Sequence, residues 1–298
     1  MLAIVLALAS AIGYGGSDFA AGLASRNASV VQVTLLVSVV SALIVAAVLP
    51  FAASPGPSPA ALAWGFGAGF GGTLGAFALY LGFRHAAFSV AGPLSAVGSA
   101  GFSVLAGLLF GERPTELALA GIVLALPAIV AVSASAAAAE SAASAGDTPG
   151  QETGIPGGRP VAGVILGLIA GACFALLFIG LDRAGSRSGL WPVAAAAAGE
   201  LVAALAAVAG TRSFRRPGGR PGLLAALAGS AGSAGTILFF FATHRGFLAV
   251  TAVLTSLYPA VTIVLARVLL GERLTALRLA GLVLAGACVG LIAAGGAG

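Results

Sequence analysis

The sequence predicts an all-α integral membrane protein with ten transmembrane helices arranged as two inverted five-helix repeats. Three observations carry that prediction. The chain is 59% hydrophobic and 8% charged with a mean hydropathy of +1.10, whereas a soluble domain carries roughly 25% charged residues. Its apolar runs reach the roughly 20 residues needed to cross about 30 Å of hydrocarbon at about 1.5 Å per residue. The chain also repeats itself: Gly111-Glu112-Arg113 recurs 160 residues later as Gly271-Glu272-Arg273, with Leu109, Thr115, Leu117, Leu119, Ala120, Gly121, Val123, Leu124 and Ala125 recurring at the same offset. That pattern is an internal duplication.

Taken in order, the first span covers about residues 2–23. It lacks a basic start and holds Gly13, Gly15, Gly16 and Asp18, so it reads as a retained helix, not a cleaved signal. A break at Arg26-Asn27 leads to a second span at about 30–51, which the proline-rich loop 54–59 ends. Spans three to five follow at about 60–83, 87–110 and 115–134. The Ala, Ser, Gly and Pro-rich segment 135–160 reads as a flexible solvated linker. The second half gives spans at about 161–181, 190–210, 221–243, 247–270 and 275–295. The domain plan is therefore 1–134, a linker at 135–160, and 161–298. Because each half holds an odd number of spans, the halves insert in opposite senses, the arrangement that lets one central site open alternately to either side.

Charge placement adds detail. The formal charge of +5 comes from fourteen arginines and no lysine. They sit at span ends and in short loops, so the basic balance speaks for membrane topology and no nucleic-acid partner. Nine arginines fall in odd-numbered loops and four in the others, which places the odd loops in the cytoplasm and both termini outside. Cys173 and Cys288 lie inside apolar spans as small packing residues. No metal site and no cofactor is expected.

Glu200 lies near the centre of the seventh span. An acidic group at mid-bilayer costs on the order of 2.5–3.5 kcal/mol on an insertion scale, so it should face the bundle interior or a wet cavity. Two readings fit it: a proton-coupling or substrate-ammonium site, or an acid hydrogen-bonded to a neighbouring helix for structure alone. Asp18, nearer a helix end, either serves the same site or pairs with Arg26 or another loop arginine. Tyr14 lies deep enough to line a cavity. In the ninth span Tyr258-Pro259 is expected to kink the helix, freeing a carbonyl where a pocket can form. Tyr258, Thr255 and Ser256 would then offer hydroxyls to a ligand, unless they bond locally. Pro93 is the corresponding kink candidate in the fourth span. Arg267, one turn before the end of the ninth, either snorkels to the interface or binds an anion. Trp64, Tyr80 and Trp191 suit the headgroup level, and His85 and His244 sit in matching short loops. Glu112 and Glu272 read as caps at the starts of the fifth and tenth helices. The series Gly67/Gly71/Gly75, Gly163/Gly167/Gly171 and Gly286/Gly290 reads as small-residue helix packing. Gly67–Gly72 formally matches G-x-G-x-x-G, but no strand precedes it.

The YGGSDF stretch of the first span with Arg26 after it, and LYPAVTIVLARVLLGERLT at the ninth-to-tenth junction, resemble the drug/metabolite transporter superfamily in its EamA-type branch. The resemblance covers nearly the whole chain apart from the linker. It implies ten helices around a central cavity, a carrier that exports or exchanges metabolites, amino acids or drugs without ATP, and termini inside, opposite to the charge bias. The first half departs from the motif, since Gly98-Ser99 stands where the second has Tyr258-Pro259.

The leading expectation is thus a secondary carrier of small organic solutes, a multi-pass protein of the bacterial cytoplasmic membrane, and no enzyme. Its partners are a small-molecule substrate and the lipid bilayer. One chain already contains both halves, so a monomer suffices and a dimer is compatible. The alternatives are a flippase for a lipid-linked sugar or lipid headgroup, and, with a thinner residue inventory, an intramembrane enzyme or structural membrane partner.

Overall fold

The computed structural model describes the chain except residues 26–27, 53–55, 86–87, 146–159, 212–217, 271–275 and 296–298; it further leaves undescribed the side chains at 80–93, 132–163, 263, 266–267, 270 and 276–278. The described residues contain no strand. The helices are α1 (Leu2–Ser25), α2 (Val30–Val48), α3 (Pro59–His85), α4 (Phe88–Leu109), α5 (Glu116–Ala145), α6 (Pro160–Arg183), α7 (Trp191–Thr211), α8 (Gly219–Thr243), α9 (Leu248–Thr255), α10 (Tyr258–Leu270) and α11 (Ala276–Gly295). An all-helical answer follows from the solvent: in hydrocarbon every backbone donor and acceptor must be satisfied within the protein, which a helix does alone. Among the described residues six helical segments are long and apolar enough to cross a membrane, and four shorter apolar ones bring the count to the ten expected spans, with α9 and α10 sharing one. The protein is a multi-pass membrane protein.

Two expectations need correction. Helix α5 continues to Ala145, well into the segment expected to be a flexible linker. That extension is Ala-rich, and alanine has the highest intrinsic helix propensity; the rest of the expected linker lies outside the described residues. The ninth span is not one kinked helix either. It is two, and Pro259 stands in the first turn of the second, where its missing N–H costs nothing. Pro93 lies within α4, whose helix runs on through it; its side chain is outside the described set.

The chain divides into two compact units, each drawing on both halves of the sequence: one comprises 2–73 and 176–246, the other 74–175 and 247–298 together with Met1. In the first unit α1 packs antiparallel along α8, and α2 lies against α7 and α8. A Cβ placed on Gly13 would lie 2.8 Å from the Ala231 carbonyl oxygen and the Gly235 backbone, so the contact is backbone on backbone. The amino-terminal half of α3 meets α7 as closely: Cβ atoms on Gly65, Gly69 and Gly199 would run into the main chain of Pro192, Ala196 and Phe66. The predicted glycine series is met in part: in the other unit a Cβ on Gly75 would press on Cys173 and Phe174, and one on Gly171 on the main chain of Gly98 and Ser95, whereas other members face open space. Gly67, two residues round the helix from either contact, has nothing within 4 Å, and the same holds for Gly286 and Gly290.

In the second unit α5 packs along α11 and against α4, and α4 packs on α9. Here Glu112 does something other than start α5. Gly111 turns the chain at φ +90°, and the Glu112 carboxylate reaches α9. It accepts the Leu248 N–H through one oxygen and the Ala249 N–H, at 2.9 Å, through the other. The start of α5 is capped by Thr115, whose Oγ1 accepts the Ala118 N–H at 3.2 Å and donates to the Gly295 carbonyl at 3.0 Å. Glu272, its counterpart in the repeat, lies outside the described residues.

Candidate functional site

The close α1–α8 contact sets the register of the polar groups. Ser10 Oγ donates to the Gly235 carbonyl at 2.8 Å. One turn on, the Tyr14 hydroxyl meets Thr236 Oγ1 at 3.0 Å. Thr236 has a single hydroxyl proton and gives it to the Gly232 carbonyl at 3.1 Å, so Tyr14 is the donor between them. The phenolic oxygen therefore keeps its lone pairs for another group.

Both intramembrane acids named from the sequence come to this tyrosine. Asp18 lies one turn beyond Tyr14 on α1, Glu200 reaches in from α7, and both carboxyl groups are near enough to act on the phenol electrostatically. Glu200 is half-buried and hydrogen-bonded to Ser41 of α2. Asp18 is exposed. It makes no hydrogen bond among the described residues; Arg26, offered above as its partner, is not one of them. Phe178 of α6 completes the apolar side, its ring centroid 6.4 Å from that of Tyr14 and 4.5 Å from that of Phe239.

The site thus joins α1, α2, α6, α7 and α8 within one compact unit. It is rich in acceptors: two carboxyl groups and a phenolic oxygen, with no basic side chain inside α1, α2 or α7. Such a constellation can hold and release a proton, or hold a hydrogen-bond-donating solute. Thr236 and Ser41 escaped the sequence reading because an isolated hydroxyl in an apolar helix carries no spacing signal. Asp182, which accepts the Thr243 hydroxyl at 2.6 Å, was missed because it adjoins the span-end Arg183.

The remaining candidates belong to the other unit. Thr255 and Ser256 are completely buried at the α9–α10 break, and Tyr258 opens α10 half-buried. They are not brought together with Tyr14, Asp18 and Glu200 in one unit. Arg267 lies in α10 with its side chain outside the described residues. His244, taken above for an interfacial loop residue, has Nδ1 2.7 Å from the Phe240 carbonyl oxygen, while its Nε2 is buried without a partner among the described residues. Among the described residues no group of three or more His, Cys, Asp or Glu side chains is placed to hold a metal ion.

Comparison with known proteins agrees with the fold. A solved crystal structure superposes with a TM-score of 0.74 over 97% of this chain and 95% of that chain, at 16% identity. At that identity the likeness speaks for the fold alone. Comparison with curated protein sequences gives no match. The model of the EamA-like transporter family matches twice, over residues 1–134 and 161–294, and covers nearly the whole sequence. With a helical membrane fold and a family match of this extent, the chain is a membrane transporter of the drug/metabolite type and belongs to the EamA-like transporter family.

Proposed function

We propose that the protein is a proton-coupled secondary carrier that exports or exchanges small organic solutes, with Glu200 as the coupling group. The observation that carries this reading is that Glu200 of α7 comes within electrostatic reach of Tyr14, which shares a face of α1 with Asp18, in one acceptor-rich site. Ionisable groups are retained in a membrane interior at an energetic cost, and a proton or substrate pathway is the usual return. The two sequence halves act as inverted repeats, which supplies alternating access without a nucleotide. The address is the bacterial cytoplasmic membrane, the working unit is a single chain, and no catalysis is assigned.

The test is solute export from cells expressing wild type or Glu200→Gln, with and without a proton gradient. Loss of one extruded solute class in a well-folded variant, with the same loss in wild type when the gradient collapses, supports the reading. Equal export by variant and wild type demotes Glu200 to a packing residue. No wild-type export of any soluble compound shifts the reading to lipid headgroups.

A further inference from the structure

The second unit holds a polar seam that the carrier reading does not use. Helix α9 has eight residues, all buried, and its backbone breaks at Ser256-Leu257, about 12 Å along a membrane-crossing span. The break lies against the middle of α4, where Ser99 Oγ and Ser256 Oγ are 3.3 Å apart. Its turns are tight: the Leu257 N–H reaches back to the Leu254 carbonyl at 3.3 Å, and the Ala260 N–H to the Leu257 carbonyl at 2.9 Å. Both bonds span three residues, so the carbonyls of Val253 and Ser256 lose the donors that a continuous helix would give them. In hydrocarbon a carbonyl without a partner costs several kcal/mol by order of magnitude.

The hydroxyl protons around the break are committed elsewhere. Ser99 donates to the Ala96 carbonyl at 2.9 Å, which makes Ser256 the donor in the contact between them. Ser103 donates to the Ser99 carbonyl at 2.7 Å, and Thr251 to the Phe247 carbonyl at 3.0 Å. These four hydroxyls keep only oxygen lone pairs for a further contact. Ser95 lies one turn before Ser99 on the same face of α4, and α4 runs antiparallel to α9, which sets Ser95 level with the first turn of α10. It is 0% exposed and its hydroxyl has no partner among the described residues.

We propose that the α9–α10 break binds a sodium ion between the Ser95 and Ser256 hydroxyl oxygens and the carbonyl released at Ser256. Hydroxyl and carbonyl oxygens are ligands for a hard cation. No carboxylate belongs to the break itself, so its charge suits a monovalent ion, which the negative carbonyl end of α9 complements. Discontinuous membrane helices bind coupling ions through released carbonyls and half-helix ends in this way. The site lies in a different unit from Glu200, and the inference stands whether or not Glu200 carries protons.

The full-length protein is purified and its thermal unfolding compared in sodium, potassium and choline chloride at equal ionic strength. Sodium is expected to raise the midpoint saturably, by roughly 2–4 °C near about 100 mM, with little effect of potassium or choline. Ser95→Ala and Ser256→Ala should abolish that rise. In choline, Ser95→Ala should melt no lower than wild type, since it deletes a hydroxyl that has no partner among the described residues. Equal wild-type midpoints in sodium and choline overturn the proposal. So does a sodium rise that survives Ser95→Ala, which would leave that hydroxyl to an ordered water only. Should Ser256→Ala fail to fold, direct binding of radioactive sodium to wild type decides the matter: displacement by unlabelled sodium but not choline supports the site, and no binding refutes it. None of these readouts requires transport, so their failure is distinct from failure of the export assay.

Discussion

Replacing Glu112 removes an interaction whose size follows from the geometry. Its carboxylate accepts the N–H groups of Leu248 and Ala249, both 0% exposed, so truncation to alanine orphans two buried donors at a helix start. Each orphaned donor costs about 1–3 kcal/mol, and loss of the favourable dipole adds up to about 2 kcal/mol. Relief of the carboxylate's own desolvation offsets part of this. A net loss of roughly 2–4 kcal/mol corresponds, for a chain of this size, to a fall in Tm of about 3–6 °C. Glu112→Gln, which keeps one acceptor oxygen, should lose about half as much. The molecule supplies its own reporters. Both cysteines lie in the unit that contains Glu112, Cys288 fully buried, and both tryptophans, Trp64 and Trp191, lie in the other. In a Cys173→Ala background a thiol-reactive dye reads the exposure of Cys288 in the second unit, while tryptophan emission reads the first. Glu112→Ala should lower the thiol midpoint first and further. A thiol midpoint within about 1 °C of wild type, or a tryptophan midpoint that falls more, would refute the reasoning.

Two further outcomes follow from the first unit. Gly69→Ala drives a methyl group into the Ala196 main chain and should destabilise by about 1–3 kcal/mol or more. Gly67→Ala enters open space and should gain about 0.5–1 kcal/mol of helix preference, so the tryptophan midpoints of this pair should move in opposite directions. Tyr14→Phe deletes the 3.0 Å bond to Thr236, a stability loss of about 1 kcal/mol, and removes an acceptor from the site. Substrate export by that variant should show KM raised about tenfold with the folded yield unchanged; an unchanged KM would take Tyr14 out of the binding surface.

The class of fold was legible because lipid leaves so few options: apolar length gave the spans and the 160-residue repeat gave the internal order. Glu200 and Asp18 were legible for the same reason, since a carboxyl group in such a run is conspicuous. Their meeting at Tyr14 was not, because it depends on the register of α1 against α8, fixed by Gly13 and Gly235 through main-chain contact. Phase also decided some glycines: nothing in the spacing prefers Gly65 and Gly69 to Gly67, and only contact with the neighbouring α7 separates them. Glu112 was misassigned because its spacing before α5 looks like a local cap, whereas the helix it caps begins 136 residues later. Local sequence has no means of announcing a cap borrowed from that distance.

That borrowed cap bears on biogenesis. Phe247, the residue before α9, offers no side-chain acceptor, and eight residues extend about 12 Å, too short to cross the membrane unaided. During synthesis Glu112 emerges long before its partner exists, and α9 leaves the ribosome with its first amides open. Insertion of the ninth span therefore waits on an earlier loop already held in position. A defect at Glu112 should register as chain lost during assembly, before any substrate is encountered, and quality control rather than transport would be the first process to detect it.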